Sequence, residues 1–282
     1  MKDFKFIFFG VRGSYTVSNK HVAKYGGNTA SVLVESDNRV IILDAGTGLI
    51  TAGNYLLQNK PKLKKIDIFI SHLHIDHIQG IPFFEPVFDP QFEINFYCNE
   101  SPKAPLEKTI FSLFNLPLSP IGNEGIKAKI NFNILDVDLK KTVHIDKTFA
   151  VDFIKENHPI SGVLIYRVSV GKKFIVYATD VESPNGFSPE TTAFISGADV
   201  LIHDSMYFDH DYYSPHHPTA GYGHSTVTMA VQNAIRCAVN KLFLFHYNPN
   251  YSDTDVEKMR DEAREKFPGT YLSEELEQFS IK

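Results

Sequence analysis

Hydrophobic positions come as short apolar runs through the first two thirds of the chain. In the last third, strand and helix patterns alternate. Phe4 to Phe9 predicts a buried strand. Ala30 to Glu35 and Arg39 to Leu43, joined by Ser36-Asp37-Asn38, predict a hairpin. Asp44-Ala45-Gly46-Thr47-Gly48 breaks that pattern, and a helix over Leu49–Asn59 stops before Pro61. Ile66 to Ile70 is nearly all apolar, as a strand covered on both faces requires. Further strands are expected at Glu93–Tyr97, Lys129–Leu135, Thr148–Lys155, Gly162–Val170 and Lys173–Ala178. Then follow a strand at Val200–His203, a helix at Thr226–Val239, a strand at Lys241–Phe245 and a helix at Thr254–Lys266. In the first of these two helices Val227, Ala230, Val231, Ala234, Ile235 and Ala238 share one face, with Ser225 as the N-cap.

No repeat, low-complexity tract or linker rich in Gly, Ser or charge divides the chain. One domain over residues 1–282 is therefore expected. Asn99–Gly125 interrupts the strand pattern with four Pro and an apolar helical stretch, Leu106–Leu116. It reads either as an inserted lid or as a surface loop packed by its own Phe and Leu side chains. A formal charge of −5 argues against a strongly basic nucleic-acid wrapper, though not against a local basic patch. With Cys98 and Cys237 alone, a disulfide scaffold is excluded, and both read as core fillers. The apolar run after Met1 is too short for a secretory h-region, has an acid in front of it and is followed by no small-residue cleavage site. No stretch of about 18 apolar residues is present, so a soluble cytoplasmic protein without membrane contact is expected. What stands out is 12 His beside 2 Cys.

The strand at Ile66–Ile70 runs into Ser71-His72-Leu73-His74-Ile75-Asp76-His77. Alternate side chains of an extended segment point the same way, so His72 and His74 can converge on one ion. Asp76 and His77 begin a turn that aims at an adjacent point. Imidazole with carboxylate suits Zn²⁺, and Fe and Mn²⁺ are compatible. The plain alternative is a polar loop that holds several His without binding anything.

His-x-His-x-Asp-His after a short apolar strand resembles the signature of the metallo-β-lactamase superfamily. The resemblance extends along the chain through Asp44-Ala45-Gly46, His158 in Glu156-Asn157-His158-Pro159, Asp180 after Tyr177-Ala178-Thr179, and His246 in Phe245-His246-Tyr247. It implies two divalent metal ions. His72, His74 and His158 would hold one, Asp76, His77 and His246 the other, and Asp180 would bridge them. Asp44 would orient ligands through hydrogen bonds. The implied fold class is α/β: a four-layer αβ/βα sandwich of two mixed sheets with helices outside. Halves of about 1–150 and 151–282 would each supply one sheet. A water shared by two dications would have its pKa lowered from 15.7 in bulk toward roughly 7, which supplies a nucleophile for hydrolysis.

His203-Asp204 and Tyr222-Gly223-His224-Ser225-Thr226 resemble two further motifs of the ribonuclease Z branch and of related small-molecule phosphodiesterases. Asp204 replaces a Glu of the first motif. His224, held by Asp204 near a helix N-terminus, would neutralise the transition state or protonate the leaving oxygen. The catalytic set is then His224, Asp204 and Asp76, with His203 beside it as a supporting residue. His224 as a mere helix cap and His203 as a core residue are the plainer alternatives. The loops Gly10–Ser14 and Tyr25–Thr29 would line the site, with Arg12, Asn28 and Ser225 touching substrate and Arg12 gripping a phosphate. A Gly-rich turn with a surface Arg is the other reading.

Ribonuclease Z resemblance also implies a long arm between the third-motif His and the bridging Asp. Here only 21 residues separate His158 from Asp180. With the acidic charge, this shifts the expectation from a large RNA to a small or cyclic phosphodiester or nucleotide. Tyr207, Phe208, Tyr212, Tyr213 and Tyr222 are candidates to stack a base, or to pack. Competing functions are RNA 3′ processing, thioester hydrolysis of the glyoxalase II kind and non-catalytic ligand binding. A homodimer is compatible with the sequence but not specified by it.

Overall fold

The structure is a computed structural model that describes residues 4–100, 105–139, 141–159 and 162–281. The first half of the chain folds as β1 (Phe4–Gly10), β2 (Ser31–Ser36), β3 (Arg39–Leu43), α1 (Gly48–Asn59), β4 (Lys65–Phe69), β5 (Glu93–Cys98), α2 (Leu106–Ser112) and β6 (Lys129–Ile134). Then come β7 (Val143–Ile145), β8 (Phe149–Glu156), β9 (Val163–Val170), β10 (Lys173–Ala178), α3 (Pro189–Ile195), β11 (Val200–Asp204), α4 (Asp209–Tyr212), α5 (Val227–Arg236), β12 (Leu242–Phe245), α6 (Asp253–Lys266), β13 (Thr270–Leu272) and β14 (Gln278–Ser280).

Two mixed seven-stranded sheets result, in the orders β14-β1-β2-β3-β4-β5-β6 and β13-β12-β11-β10-β9-β8-β7. Strands β3 to β6 run parallel, as do β10 to β13. The fold class expected from the sequence is thus observed, except that the sheets do not divide at residue 150. Strand β7 already belongs to the second sheet, and β14 returns to pair with β1. Phe279 explains the return. It stacks on Phe6 with ring centroids 5.3 Å apart and meets Phe243 edge-on at 4.6 Å, so it covers one end of the core between the sheets. That core holds Phe6, Phe8, Val168, Tyr177, Phe243 and Phe245. A second layer, with Ile42, Ile68, Leu49, Ala52, Phe96 and Ile110, lies between the first sheet and its helices. A large side chain in either layer contributes about 1.5–3 kcal/mol by leaving water.

Helix α5 is shorter than its apolar pattern predicts. Val227, Ala230, Val231 and Ala234 are buried, but the chain leaves the helix after Arg236 and Ala238 takes a left-handed φ of 49°. Ile235 is therefore 52% exposed. The N-cap is Thr226 rather than Ser225, and its side chain accepts a hydrogen bond from Met229 N. Helix α6 is closed by a capping box between Ser252 and Asp255. Within the 99–125 insertion, residues 101–104 lie outside the described residues. Helix α2 stops at Ser112, short of Leu116, with Leu106 and Ile110 packed on the second layer. Among the described residues, no helix is long and apolar enough to cross a membrane.

Candidate metal centre

The carboxyl ends of the parallel strands meet along one edge of the sandwich, where α/β folds place their ligands. Asp44 follows β3, Ser71 to His77 follow β4, Asp180 follows β10, Asp204 ends β11 and His246 follows β12. His158 follows β8, which lies antiparallel to β9 and therefore points toward the same edge. Three of these residues sit where an L side chain is strained: Asp44, Asp180 and His246 have φ of 62°, 52° and 63°. Each sharp turn costs stability and keeps a polar side chain at a strand end.

The structure brings together all seven residues assigned as ligands by resemblance. Ligand atoms of His72, His74, His158 and Asp180 lie within 4.8 Å of one another, and so do those of Asp76, His77, Asp180 and His246. Asp180 is common to both groups. Its Oδ1 lies 3.1 Å from His77 Nε2 and 3.2 Å from His246 Nε2; its Oδ2 lies 3.7 Å from His72 Nε2.

Hydrogen bonds around the cluster select tautomers. His77 Nδ1 donates to Asp44 Oδ2 at 2.7 Å, which leaves Nε2 as a lone pair. Ser71 Oγ donates to Asp44 Oδ2 at 2.8 Å and so can accept from His72 Nδ1 at 3.1 Å. His158 Nδ1 donates to the Gly223 carbonyl at 3.1 Å. The Nε2 atoms of His72, His77 and His246 are buried without a hydrogen-bond partner. Unpaired nitrogen lone pairs turned toward shared carboxylates fit divalent cations, which would satisfy them. Burial holds His72 well below its ordinary pKa and takes His158 down to about 4, which favours neutral imidazoles at those two; at His77 burial is outweighed by Asp180, Asp76 and Asp44, which push it well above its ordinary value. Burial pushes Asp180 up, but His246, His77 and His72 outweigh it and hold the carboxyl well below the usual range.

Asp44 anchors this arrangement. Besides His77 and Ser71 Oγ, it accepts from Ser71 N at 2.7 Å and from Tyr177 OH at 2.8 Å. Tyr177 comes from the opposite sheet, so the bond ties the two sheets together beneath the cluster. Its place in an apolar strand gave no sign of this. The amino-terminal loop contributes backbone rather than side chain: Ser14 N donates to Asp76 Oδ2 at 2.7 Å. The loop needs Gly13, because a Cβ there would lie 2.4 Å from His246 Cε1.

Asp204 and His224 are in contact, with Nδ1 donating to Oδ2 at 2.7 Å. The other oxygen, Oδ1, accepts from Met206 N and Ser225 N, both at 3.1 Å, so the carboxylate is held on two sides. The imidazole stacks on His246 with centroids 5.1 Å apart and stays partly exposed. Burial lowers its pKa, but Asp204, with smaller effects from Asp180 and Asp76, raises it to about 9.

Three expected substrate contacts, Arg12, Asn28 and Ser225, are corrected. Arg12 is fully buried and donates to the backbone carbonyls of Gly26, Asn248 and Tyr251, so it fastens loops instead of reaching for a phosphate. Asn28 donates its side-chain amide to Glu275 Oε2 at 2.9 Å. Ser225 is buried and donates its hydroxyl to the Val181 carbonyl at 2.6 Å. His203 is a core residue, bonded to the Asp204 carbonyl at 2.6 Å and to Asn233 at 3.0 Å. Its bond to the Asp204 carbonyl supports that residue's backbone. Of the five aromatic candidates, Tyr207, Phe208 and Tyr212 are buried, while Tyr213 and Tyr222 are exposed.

Over an alignment 315 positions long, the chain is 28% identical to ribonuclease Z of Picrophilus torridus, covering 99% of this chain and 96% of that one. In three dimensions it matches the metallo-β-lactamase fold protein YhfI from Bacillus subtilis with a TM-score of 0.74, at 18% identity and with both chains fully covered. It also matches a diphosphatase of the PhnP family with a TM-score of 0.69, at 18% identity and covering 99% and 98% of the two chains. Residues 39–247 match the model of the β-lactamase superfamily domain, and the chain belongs to that superfamily.

Proposed function

We propose that the protein is a metal-dependent phosphodiesterase acting on a small or cyclic phosphodiester. The observation that carries this reading is the Asp204–His224 pair, 2.7 Å apart, placed against the two four-residue clusters that share Asp180. A thioesterase or lactamase needs the metals but has less use for a cation held at the leaving-group side. His72, His74 and His158 would hold one ion, Asp76, His77 and His246 the other, and Asp180 both. The nitrogen and oxygen donor set suits Zn²⁺ and admits Mn²⁺ or Fe. Such ions, when bound, polarise the phosphoryl group and activate water.

The chain's own residues supply the rest. Asp204, fixed by Met206 N and Ser225 N, keeps the proton on His224 Nδ1. With its pKa raised to about 9, the ring is cationic near neutrality and carries a second proton on Nε2. That N–H can stabilise negative charge growing on the phosphoryl oxygens, then pass its proton to the departing oxygen. Asp44, Ser71 and Tyr177 hold the imidazoles in place, so no reorganisation is needed as charge develops.

The small substrate is favoured by the short path from His158 to Asp180, taken up by the β9–β10 hairpin, which leaves no room for an RNA-gripping arm. RNA 3′ processing is the second reading, favoured by full-length similarity to a protein named ribonuclease Z. The test is a substrate panel on metal-loaded protein, with Zn²⁺ and Mn²⁺ in parallel. It comprises a chromogenic phosphodiester, 2′,3′- and 3′,5′-cyclic nucleotides, a precursor tRNA and S-lactoylglutathione. Cleavage of the small phosphodiesters is expected. Thioester cleavage alone would sink the proposal, and a kcat/KM for precursor tRNA far above that for every small diester would select the second reading.

A further inference from the structure

Glu182 lies two residues beyond Asp180, and its carboxylate is bonded to the end of α4 and to the segment between α4 and α5. Its Oε1 accepts from Tyr212 OH and from Gly221 N, each at 2.5 Å. Its Oε2 accepts from Gly223 N at 2.9 Å. Gly221 and Gly223 have φ of 88° and 92° and no side chain to pack, so this stretch has little of its own to hold it. At Gly223 the stretch touches the candidate metal centre directly. Its carbonyl accepts from His158 Nδ1 at 3.1 Å, and a Cβ added there would lie 2.4 Å from that same nitrogen. The next residue is His224.

Gly223 is thus gripped at both ends of its backbone, its N–H by Glu182 and its C=O by His158. A carbonyl can only accept, so His158 must carry its proton on Nδ1 and present Nε2 toward Asp180, 3.8 Å away. We propose that Glu182 is a positioning residue that fixes, through one glycine, both the ligating tautomer of His158 and the placement of His224. This rests on the dinuclear reading given above. The bonds are charge-assisted, and outer partners of metal-binding His commonly set affinity and activity together.

Glu182→Gln is the discriminating variant. Its remaining oxygen can still accept from Tyr212 and Gly221, but its NH₂ faces Gly223 N–H, donor against donor. Metal binding is read by competition with a chromophoric chelator, turnover on a chromogenic phosphodiester, and folding by a thermal melt. One of the two metal equivalents is expected to weaken by about 10- to 100-fold. With metal saturating, kcat should fall by roughly tenfold while KM stays within about twofold, because His224 acts in the transition state. A purely structural role would instead lower the melt and leave both metal equivalents equally tight. Two metal equivalents bound as tightly as in the unsubstituted protein overturn the proposal. The titration gives its answer even if no phosphodiester is cleaved, so failure of the functional reading is separable. Should Glu182→Gln not fold, Tyr212→Phe decides. It should weaken the same equivalent by about threefold, and an unchanged affinity overturns the proposal.

Discussion

His203 and His224 show how little of a histidine's role is carried by its type. Both flank the Asp204 region, both are largely removed from solvent, and both bond to Asp204. Yet His203 gives one nitrogen to the Asp204 carbonyl and the other to Asn233, so neither remains for chemistry. His224 bonds the Asp204 carboxylate through Nδ1, and the same nitrogen lies 3.8 Å from Asp180 Oδ2 at the edge of the clusters. Its pKa near 9 follows from facing three carboxylates, Asp204 foremost. His224 also forms a cluster with Asp180, Asp204 and His246, but its Nδ1 is committed to Asp204, so His224→Ala is expected to keep both metal equivalents, whose donors the seven other residues would supply. It should lower kcat by about 10²-fold or more, the usual scale of a lost general acid or charge stabiliser. Metal analysis beside steady-state kinetics checks this, and an unchanged kcat would reduce His224 to support for the turn before α5.

Among elements, the amino-terminal loop departs most from its sequence reading. Arg12 stands in Gly10-Val11-Arg12-Gly13-Ser14 and looks like an anion grip, but its partners are carbonyls 14, 236 and 239 residues away. No local pattern announces partners so distant. Arg12→Ala should cost about 3 kcal/mol, the penalty for stripping hydrogen bonds from a buried guanidinium and orphaning the carbonyls it served. Chemical denaturation measures this, and activity per metal-loaded folded molecule should stay within about threefold. A raised KM with unchanged stability would restore the phosphate contact. The same limit separates legible elements from hidden ones. Ile66–Ile70 and Lys173–Ala178 could be read because each is a short continuous apolar run of strand length. Gln278-Phe279-Ser280 could not, since a single Phe acquires meaning only when Phe6 and Phe243 are beside it. Of the seven clustered residues, His72, His74, Asp76 and His77 were legible from their spacing after an apolar strand, whereas His158, Asp180 and His246 were legible only through the family resemblance. Ser71, Tyr177 and Glu182 were not, because each acts by a hydrogen bond to a residue brought close only by the folded sheets.

At the scale of the molecule, the clusters lie where the two sheets meet, beside a largely apolar core and a few polar ties such as Tyr177–Asp44 and Tyr166–Ile70 O. His72, His74, Asp76 and His77 come from the first sheet, and His158, Asp180 and His246 from the second. Among the described residues, the buried Nε2 atoms of His72, His77 and His246 have no hydrogen-bond partner, though carboxylates lie close by. Without cations this edge therefore carries unpaired polar atoms and strained turns together. Ions that bind the folded chain and not the unfolded one stabilise it by mass action, about 4 kcal/mol for each site at a thousandfold excess over Kd. For a chain of this size, that predicts a fall in melting temperature on the order of 10 °C or more after chelation, reversed by adding back Zn²⁺ or Mn²⁺. The loss should be local before it is global. Hydrogen exchange should accelerate first at the carboxyl ends of β4, β10 and β12, where the ligands sit, and last at the Phe6–Phe243–Phe279 end, which apolar contact holds without metal. Calorimetry and exchange on the chelated and reloaded protein test both statements. A melt unmoved by verified metal loss would mean that Asp44, Ser71 and Tyr177 hold the edge closed unaided, and that the ions enter a site already built.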